Sequence, residues 1–360
     1  MVVRRRQGYR FQVWRLKISV FDALKTIPFQ YQFLKPHKMK LFLKIGGLLI
    51  GLLLLGYAYI QFAPSKSFDL PYSEFELSTD STVLERGKYL VYGPARCSEC
   101  HTQETEGAVA FVKKEGLSPL AGGHVFHTPI GEIYAKNITS DNETGIGKLS
   151  PGAIARTLRH AVNSQGHVMV PFMKYTHLSE ADMVAIISFL KAQAPVSNPV
   201  PKSDYNLMGN MALKFFLKPH KKTKPIIKDI KPSLDLDYGA YLTHEVTGCG
   251  SCHTTFNMDK MEYDGVPLAG GGDFVGKEHI FRPPNLTPDP KTGHITNWTE
   301  AQFVSRFRAG KVFKDSPMPW ENFGLMKDDD LKAVYRYLQS LPPHENDMGL
   351  VVRAIAEEEE

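Results

Sequence analysis

The chain has 360 residues, 42% of them hydrophobic and 22% charged, with four cysteines and a formal net charge of +5. Its length leaves room for about two domains. The positive balance is uneven: 11 Lys/Arg and one acidic residue, Asp22, give residues 1–44 a charge of +10, so residues 65–360 carry −5 and show no nucleic-acid footprint.

Residues 1–44 read as a basic cytoplasmic segment. Its first 38 residues are basic and aromatic, with no helical or strand period. They read either as an arm lying on anionic lipid or as a misassigned extension before a start at Met39, because Met39-Lys40-Leu41-Phe42-Leu43-Lys44 makes a good beginning for an export signal. Ile45 to Phe62 follows as 18 residues without a charge. As a helix it spans roughly 27 Å, close to the thickness of a bilayer core. No small-x-small cleavage site follows it, and Tyr57, Tyr59 and Phe62 suit an interfacial belt. The expectation is a retained single-pass anchor over 45–62, with the Lys/Arg-rich side inside.

The exported part contains one five-residue motif twice. Cys97-Ser98-Glu99-Cys100-His101 and Cys249-Gly250-Ser251-Cys252-His253 both read C-x-x-C-H and use all four cysteines. This is the attachment signature of c-type haem: two thiols add to the vinyl groups of one porphyrin, and the next His becomes the proximal iron ligand. A thioredoxin-type pair needs no adjacent His. A zinc site would have to join segments 152 residues apart. Two covalent haem c groups are therefore expected, with Cys97, Cys100, Cys249 and Cys252 holding them and His101 and His253 on the irons.

The surroundings of the motif are repeated as well. Gly87-Lys88-Tyr89-Leu90 is matched by Gly239-Ala240-Tyr241-Leu242, and Pro119-Leu120-Ala121-Gly122-Gly123 by Pro267-Leu268-Ala269-Gly270-Gly271. Asn137-Ile138-Thr139-Ser140-Asp141 is matched by Asn285-Leu286-Thr287-Pro288-Asp289, again at a spacing of 148. Such order-preserving matches mark a duplication. Each copy ends in a helical stripe, Met183/Ile186/Ile187/Leu190 and Leu331/Val334/Tyr335/Leu338, which stops before Pro195 and Pro342. Ser179 with Asp182 reads as a capping box. The prediction is an all-α fold of two tandem modules, 80–196 and 233–343, joined by a Pro/Lys-rich linker at 197–232 and followed by a solvated acidic tail at 344–360. Within the linker, Leu207 to Leu217 is apolar enough to pack on a module or at the membrane surface.

The distal ligand decides between carrier and catalyst, because a thioether favours ferrous iron and an open site invites peroxide or oxygen. Met318, stiffened by Pro317 and Pro319, is the candidate for the second haem. Met173 is preferred to Met169 for the first, since Pro171 and Phe172 precede it. His167 or His177 would compete by giving bis-histidine ligation. Arg159 and Arg308 correspond across the repeat and read equally well as propionate partners or as a solvated helix face.

R-G-x-Y-L before C-x-x-C-H, then L-A-G-G, N-[IL]-T-x-D-x-x-T-G and M-P-W before an acidic helix start, resemble bacterial membrane-anchored di-haem cytochromes c. They are most similar to the cytochrome c subunits of periplasmic alcohol and gluconate dehydrogenases. The resemblance implies class I cytochrome c domains with His/Met ligation, set on the periplasmic face of the bacterial inner membrane. It also implies a periplasmic dehydrogenase as donor and quinone or a terminal oxidase of the respiratory chain as acceptor. Those subunits usually carry three haem motifs and this chain two. An electron carrier is the leading expectation, probed against a di-haem peroxidase and the di-haem subunit of a cbb-type haem-copper oxidase. A Cys-ligated sulfur-oxidising enzyme is disfavoured because no fifth cysteine exists.

Overall fold

The computed structural model describes residues 36–355 other than 71, 73, 103–111, 114, 115, 174, 258, 259 and 261. The basic arm as far as residue 35 and the terminal Glu357–Glu360 lie outside the described residues. The chain divides into two compact units, Met1–Tyr59 and Ile60–Glu360.

Helix α1 (Pro36–Phe62) begins nine residues before the apolar run and continues through it. Its Met39–Phe62 stretch has a mean hydropathy of 2.1 and is exposed along its length, so it is long and apolar enough to cross a membrane.

Both repeats lie in the second unit and follow one order of elements. In the first, α2 (Ser81–Tyr92) leads into α3 (Cys97–His101), which carries the first haem motif. Two short strands, β1 (Val112–Lys113) and β2 (Gly116–Leu117), come next, then the hairpin β3 (Val125–Thr128) and β4 (Gly131–Tyr134). Helices α4 (Pro151–His160) and α5 (Glu180–Ala192) follow, and β5 (Asp204–Tyr205) closes the sheet in the order β3-β4-β5. Helix α6 (Leu207–Met211) then runs into a π-helical turn, Ala212–Phe216.

The second repeat opens with α7 (Leu236–Tyr241) and its own π-helical turn, Leu242–Val246, before the second motif. It continues through β6 (Phe256–Asn257), β7 (Glu262–Tyr263), β8 (Phe274–Val275) and β9 (His279–Phe281). Helices α8 (Glu300–Arg308), α9 (Trp320–Phe323) and α10 (Asp328–Gln339) come next, and strand β10 (Val352–Ala354) ends the described chain.

The all-α expectation is corrected by these sheets, two of two strands and two of three. The Gly-rich segments after each C-x-x-C-H supply the strands: Gly131 has φ 126°, which the β3–β4 turn requires. The structure also differs from the expected linker and tail. β5 pairs with β4, placing Gly131 opposite Tyr205, and β10 pairs with β9, placing His279 opposite Ala354. These strands correspond at the same spacing of 148. Part of the expected linker and Val352–Ala354 of the expected acidic tail therefore complete the sheets of their own repeats, because the free edges of β4 and β9 offer backbone partners that a solvated chain would forgo.

Each repeat is closed by its first and last helices packing backbone to backbone. A Cβ on Gly87 would lie 2.0 Å from the Ala185 carbonyl oxygen, and one on Gly239 would lie 2.2 Å from that of Ala333. Leu90, Leu178 and Ile187 beside the first contact and Leu242, Leu331 and Leu338 beside the second are buried in one continuous core. The repeats are joined reciprocally. Tyr241 donates to Asp182 Oδ2 at 2.7 Å, and Tyr89 donates to the corresponding Asp330. Asp182 also takes a bidentate pair of bonds from Arg86 at 2.8 and 2.9 Å. Ser179 caps α5 through the Asp182 N–H, but the Asp182 carboxylate is drawn off to Arg86 and Tyr241, so the expected capping box is only half made. A complete one forms at Thr299 and Gln302.

Candidate functional site

Both C-x-x-C-H turns start from a left-handed residue, Arg96 (φ 55°) in the first repeat and Gly248 (φ 66°) in the second. Each turn is pinned through its histidine. His101 Nδ1 lies 2.6 Å from the Lys136 carbonyl oxygen, and His253 Nδ1 lies 2.9 Å from that of Pro284. A ring that donates from Nδ1 to a carbonyl keeps the Nε2 lone pair free for a metal. Burial lowers the affinity of both rings for a proton, that of His253 to a pKa of about 4, so each is neutral near pH 7 as a ligand must be. The peptide N–H groups of Gly122 and Gly270 bond the carbonyls of His101 and His253, holding the Leu-Ala-Gly-Gly turns against the motifs.

The N-[IL]-T-x-D run fixes the accepting carbonyls. Asn285 is fully buried. Its Oδ1 accepts from the Thr287 N–H at 3.0 Å, and its Nδ2 donates to Thr292 Oγ1 at 3.0 Å and to the His344 carbonyl at 2.8 Å. Asn137 does the same with Thr139, Thr144 and the Val196 carbonyl. Each run thus ties the chain leaving the last helix to the residue beside the His-anchoring carbonyl. The sequence marks this run as a repeat; its role appears only with the fold.

Around the second motif lies an apolar cavity of about 250 Å³. Cys249, Cys252, His253 and Met318 all line it, with Trp298, Phe303 and Phe307 among its walls. Two thiols, an imidazole with a free Nε2 and a thioether around one apolar space fit a covalently held haem. In the first repeat, burial pushes the Cys97 and Cys100 thiols up to about 12, so neither thiol is a ready thiolate nucleophile of the redox-pair kind. Met173 packs against the buried core, whereas Met169 is held through its N–H by the Ala161 carbonyl and is not among the residues packed there.

Other expectations change. Arg159 is buried, whereas Arg308 is exposed and also pairs with Asp328. Arg159 donates to the carbonyls of Thr176 and Leu178, and Arg308 to those of Gly324 and Met326, so each braces the loop ahead of its repeat's last helix. His177 accepts from the Thr223 N–H at 3.1 Å through Nε2 and faces Glu245 with Nδ1 at 3.6 Å, which leaves neither ring nitrogen for iron. Sequence reasoning missed Asn322, which donates to the Tyr92 carbonyl at 2.6 Å and to Ser98 Oγ at 2.8 Å, inside the first motif. Only its place four residues after Met318 hinted at a role.

Comparison with known proteins agrees with this geometry. Residues 84–194 match the family model for cytochrome c. The chain is 28% identical over 273 residues to the fructose dehydrogenase cytochrome subunit of Gluconobacter japonicus, covering 72% of this chain and 52% of that one. It is 29% identical over 283 residues to the cytochrome c subunit of the quinone alcohol dehydrogenase of Gluconacetobacter polyoxogenes, covering 73% and 57%. A "diheme cytochrome c-type" protein of Cereibacter sphaeroides is 25% identical over 262 residues, covering 70% of this chain and 84% of that protein. The chain thus spans little more than half the length of the two dehydrogenase subunits. Residues 84–194 are thus similar to cytochrome c, in a chain similar over most of its length to dehydrogenase cytochrome subunits.

Proposed function

We propose that the chain is a membrane-tethered di-haem c-type cytochrome that relays single electrons from a periplasmic donor to a respiratory-chain acceptor. The observation that carries this reading is the repetition of one histidine geometry, with Nδ1 of His101 and of His253 each bound to a backbone carbonyl. Each haem, once bound, takes up and releases one electron at its iron. The chain's own residues do the rest. Cys97/Cys100 and Cys249/Cys252 hold the two groups, His101 and His253 present Nε2, and Met173 and Met318 supply the sulfur that favours the ferrous state. The two repeats are two tandem class I cytochrome c domains in this reading.

The relatives named as dehydrogenase cytochrome subunits support a dehydrogenase as donor. Helix α1 supports a tether in the bacterial inner membrane with the haem domains in the periplasm, which keeps the carrier near a quinone or oxidase acceptor and raises its effective concentration there. The test is haem content. Denatured protein should retain two haems per chain, and Cys249→Ala should halve or abolish the haem stain. Release of the haem from the denatured parent into acidified butanone would overturn the reading.

A further inference from the structure

The junction between the repeats joins one haem motif to the other haem's cavity. Arg96 immediately precedes Cys97 in the left-handed conformation that Gly248 adopts in the second repeat. Glycine meets that backbone requirement without strain, so the turn itself gives no reason for an arginine there. The side chain reaches out of its own repeat. Its Nη1 lies 3.2 Å from Glu99 Oε2, inside the first motif, and its guanidinium sits 5.7 Å from the centre of the Phe323 ring. It also lines the cavity that holds Cys249, Cys252 and Met318. Beside it, Asn322 is 1% exposed and bonds Ser98, which is fully buried. The loop after Met318 is thereby fastened to the middle of the first C-x-x-C-H turn.

We propose that Arg96 is a shared determinant of both haem potentials, one guanidinium placed between the two attachment sites that disfavours the ferric state at each. This rests on the two-haem reading above. The ferric site carries one more positive charge than the ferrous, so a fixed cation nearby opposes oxidation, and more strongly where water is partly excluded. Arg96 is only one-third exposed, and Glu99 offsets part of its charge. The Asn322–Ser98 bond fixes the spacing of the two sites. With both haems bound, the exchange would move one electron from a ferrous to a ferric iron, with no proton or third reactant. Arg306 supplies a contrast. It stacks over Trp320 at 3.5 Å and lines the cavity around the second motif.

The experiment is a spectroelectrochemical titration of the full chain in detergent, with haem content measured on the same samples. In Arg96→Gly and Arg96→Gln both midpoint potentials should shift negative, and Arg96→Lys should return both toward the parent values. The glycine variant suits the backbone and guards against misfolding. Arg306→Gln should shift the second haem only. Two retained haems with neither potential moved by Arg96→Gly, or with only the first haem's moved, overturn the proposal alone. One haem per parent chain overturns the two-haem reading and this proposal with it.

Discussion

The close backbone approach of the first and last helices makes Gly87→Ala a sharp test of the fold. The added methyl would lie 2.0 Å from the Ala185 carbonyl oxygen, 2.6 Å from its carbon and 2.7 Å from Phe189 Cβ. Ordinary contacts between such atoms lie at about 3.5 Å, so α2 and α5 would have to part by an ångström or more. That shift loosens Leu90 and Ile187, both fully buried, and pulls at the Arg86–Asp182 pair. Overpacking of a filled core costs about 1–3 kcal/mol. With backbone on both sides, we expect the upper end, about 3 kcal/mol. For a unit of this size that lowers Tm by roughly 5–10 °C. Thermal melts of the haem-loaded protein by far-UV circular dichroism would read it. Gly272→Ala serves as the control, since nothing lies within 4 Å of the added methyl. If Gly87→Ala melts with the control, the first and last helices do not meet through their backbones and the reasoning is refuted.

Met318→Ala should lower one haem potential by on the order of 0.1 V or more, within the roughly 0.8 V range that axial ligands set. Met173→Ala should lower the other and Met169→Ala neither, as read by redox titration. Asn285→Ala leaves the Thr287 N–H without its partner and the His344 carbonyl with only Thr287 Oγ1, which costs about 1–3 kcal/mol and should appear in urea unfolding of the holo-protein. Asp315 anchors the Met318 loop to the β8–β9 turn. Burial opposes its charge, but the N–H groups of Glu278 and His279 and the His279 ring outweigh burial and hold the pKa at about 2. A depressed carboxylate pKa stabilises the fold above the ordinary carboxylate range and loses that effect as the pH falls through the folded value. The stability gap between parent and Asp315→Asn should therefore be constant above about pH 5 and close toward about pH 2.

Cys249, Cys252, His253 and Met318 were legible as a group, and they line one cavity. Cys-x-x-Cys-His states its chemistry in five residues, and its duplication stated the two-part order. The hairpins were not legible, since β3 and β4 are four residues each and carry no clear alternation of burial. Nor were β5 and β10, two- and three-residue strands whose meaning lies in the partner edge rather than in their own composition. The roles of Arg159 and Arg308 stayed open because a guanidinium bonds carbonyls as readily as carboxylates, and sequence does not say which stands opposite. Asn322 was invisible for a related reason: its partners lie in the other repeat, as does the Phe323 ring beside Arg96.

The reciprocal bonds Tyr241–Asp182 and Tyr89–Asp330 are of the kind a two-fold homodimer makes, in which each subunit gives the other the same contact. Here they lie within one chain. Before such a duplication is joined, any change at the contact must suit both sides at once. Afterwards each copy varies alone. Ser98 could then take a bond from Asn322 while the corresponding Gly250 offers no side chain, and Arg96 could stand where its counterpart is Gly248. Within one chain a symmetric pair thus becomes an ordered one, with a first site and a second that differ in their side chains.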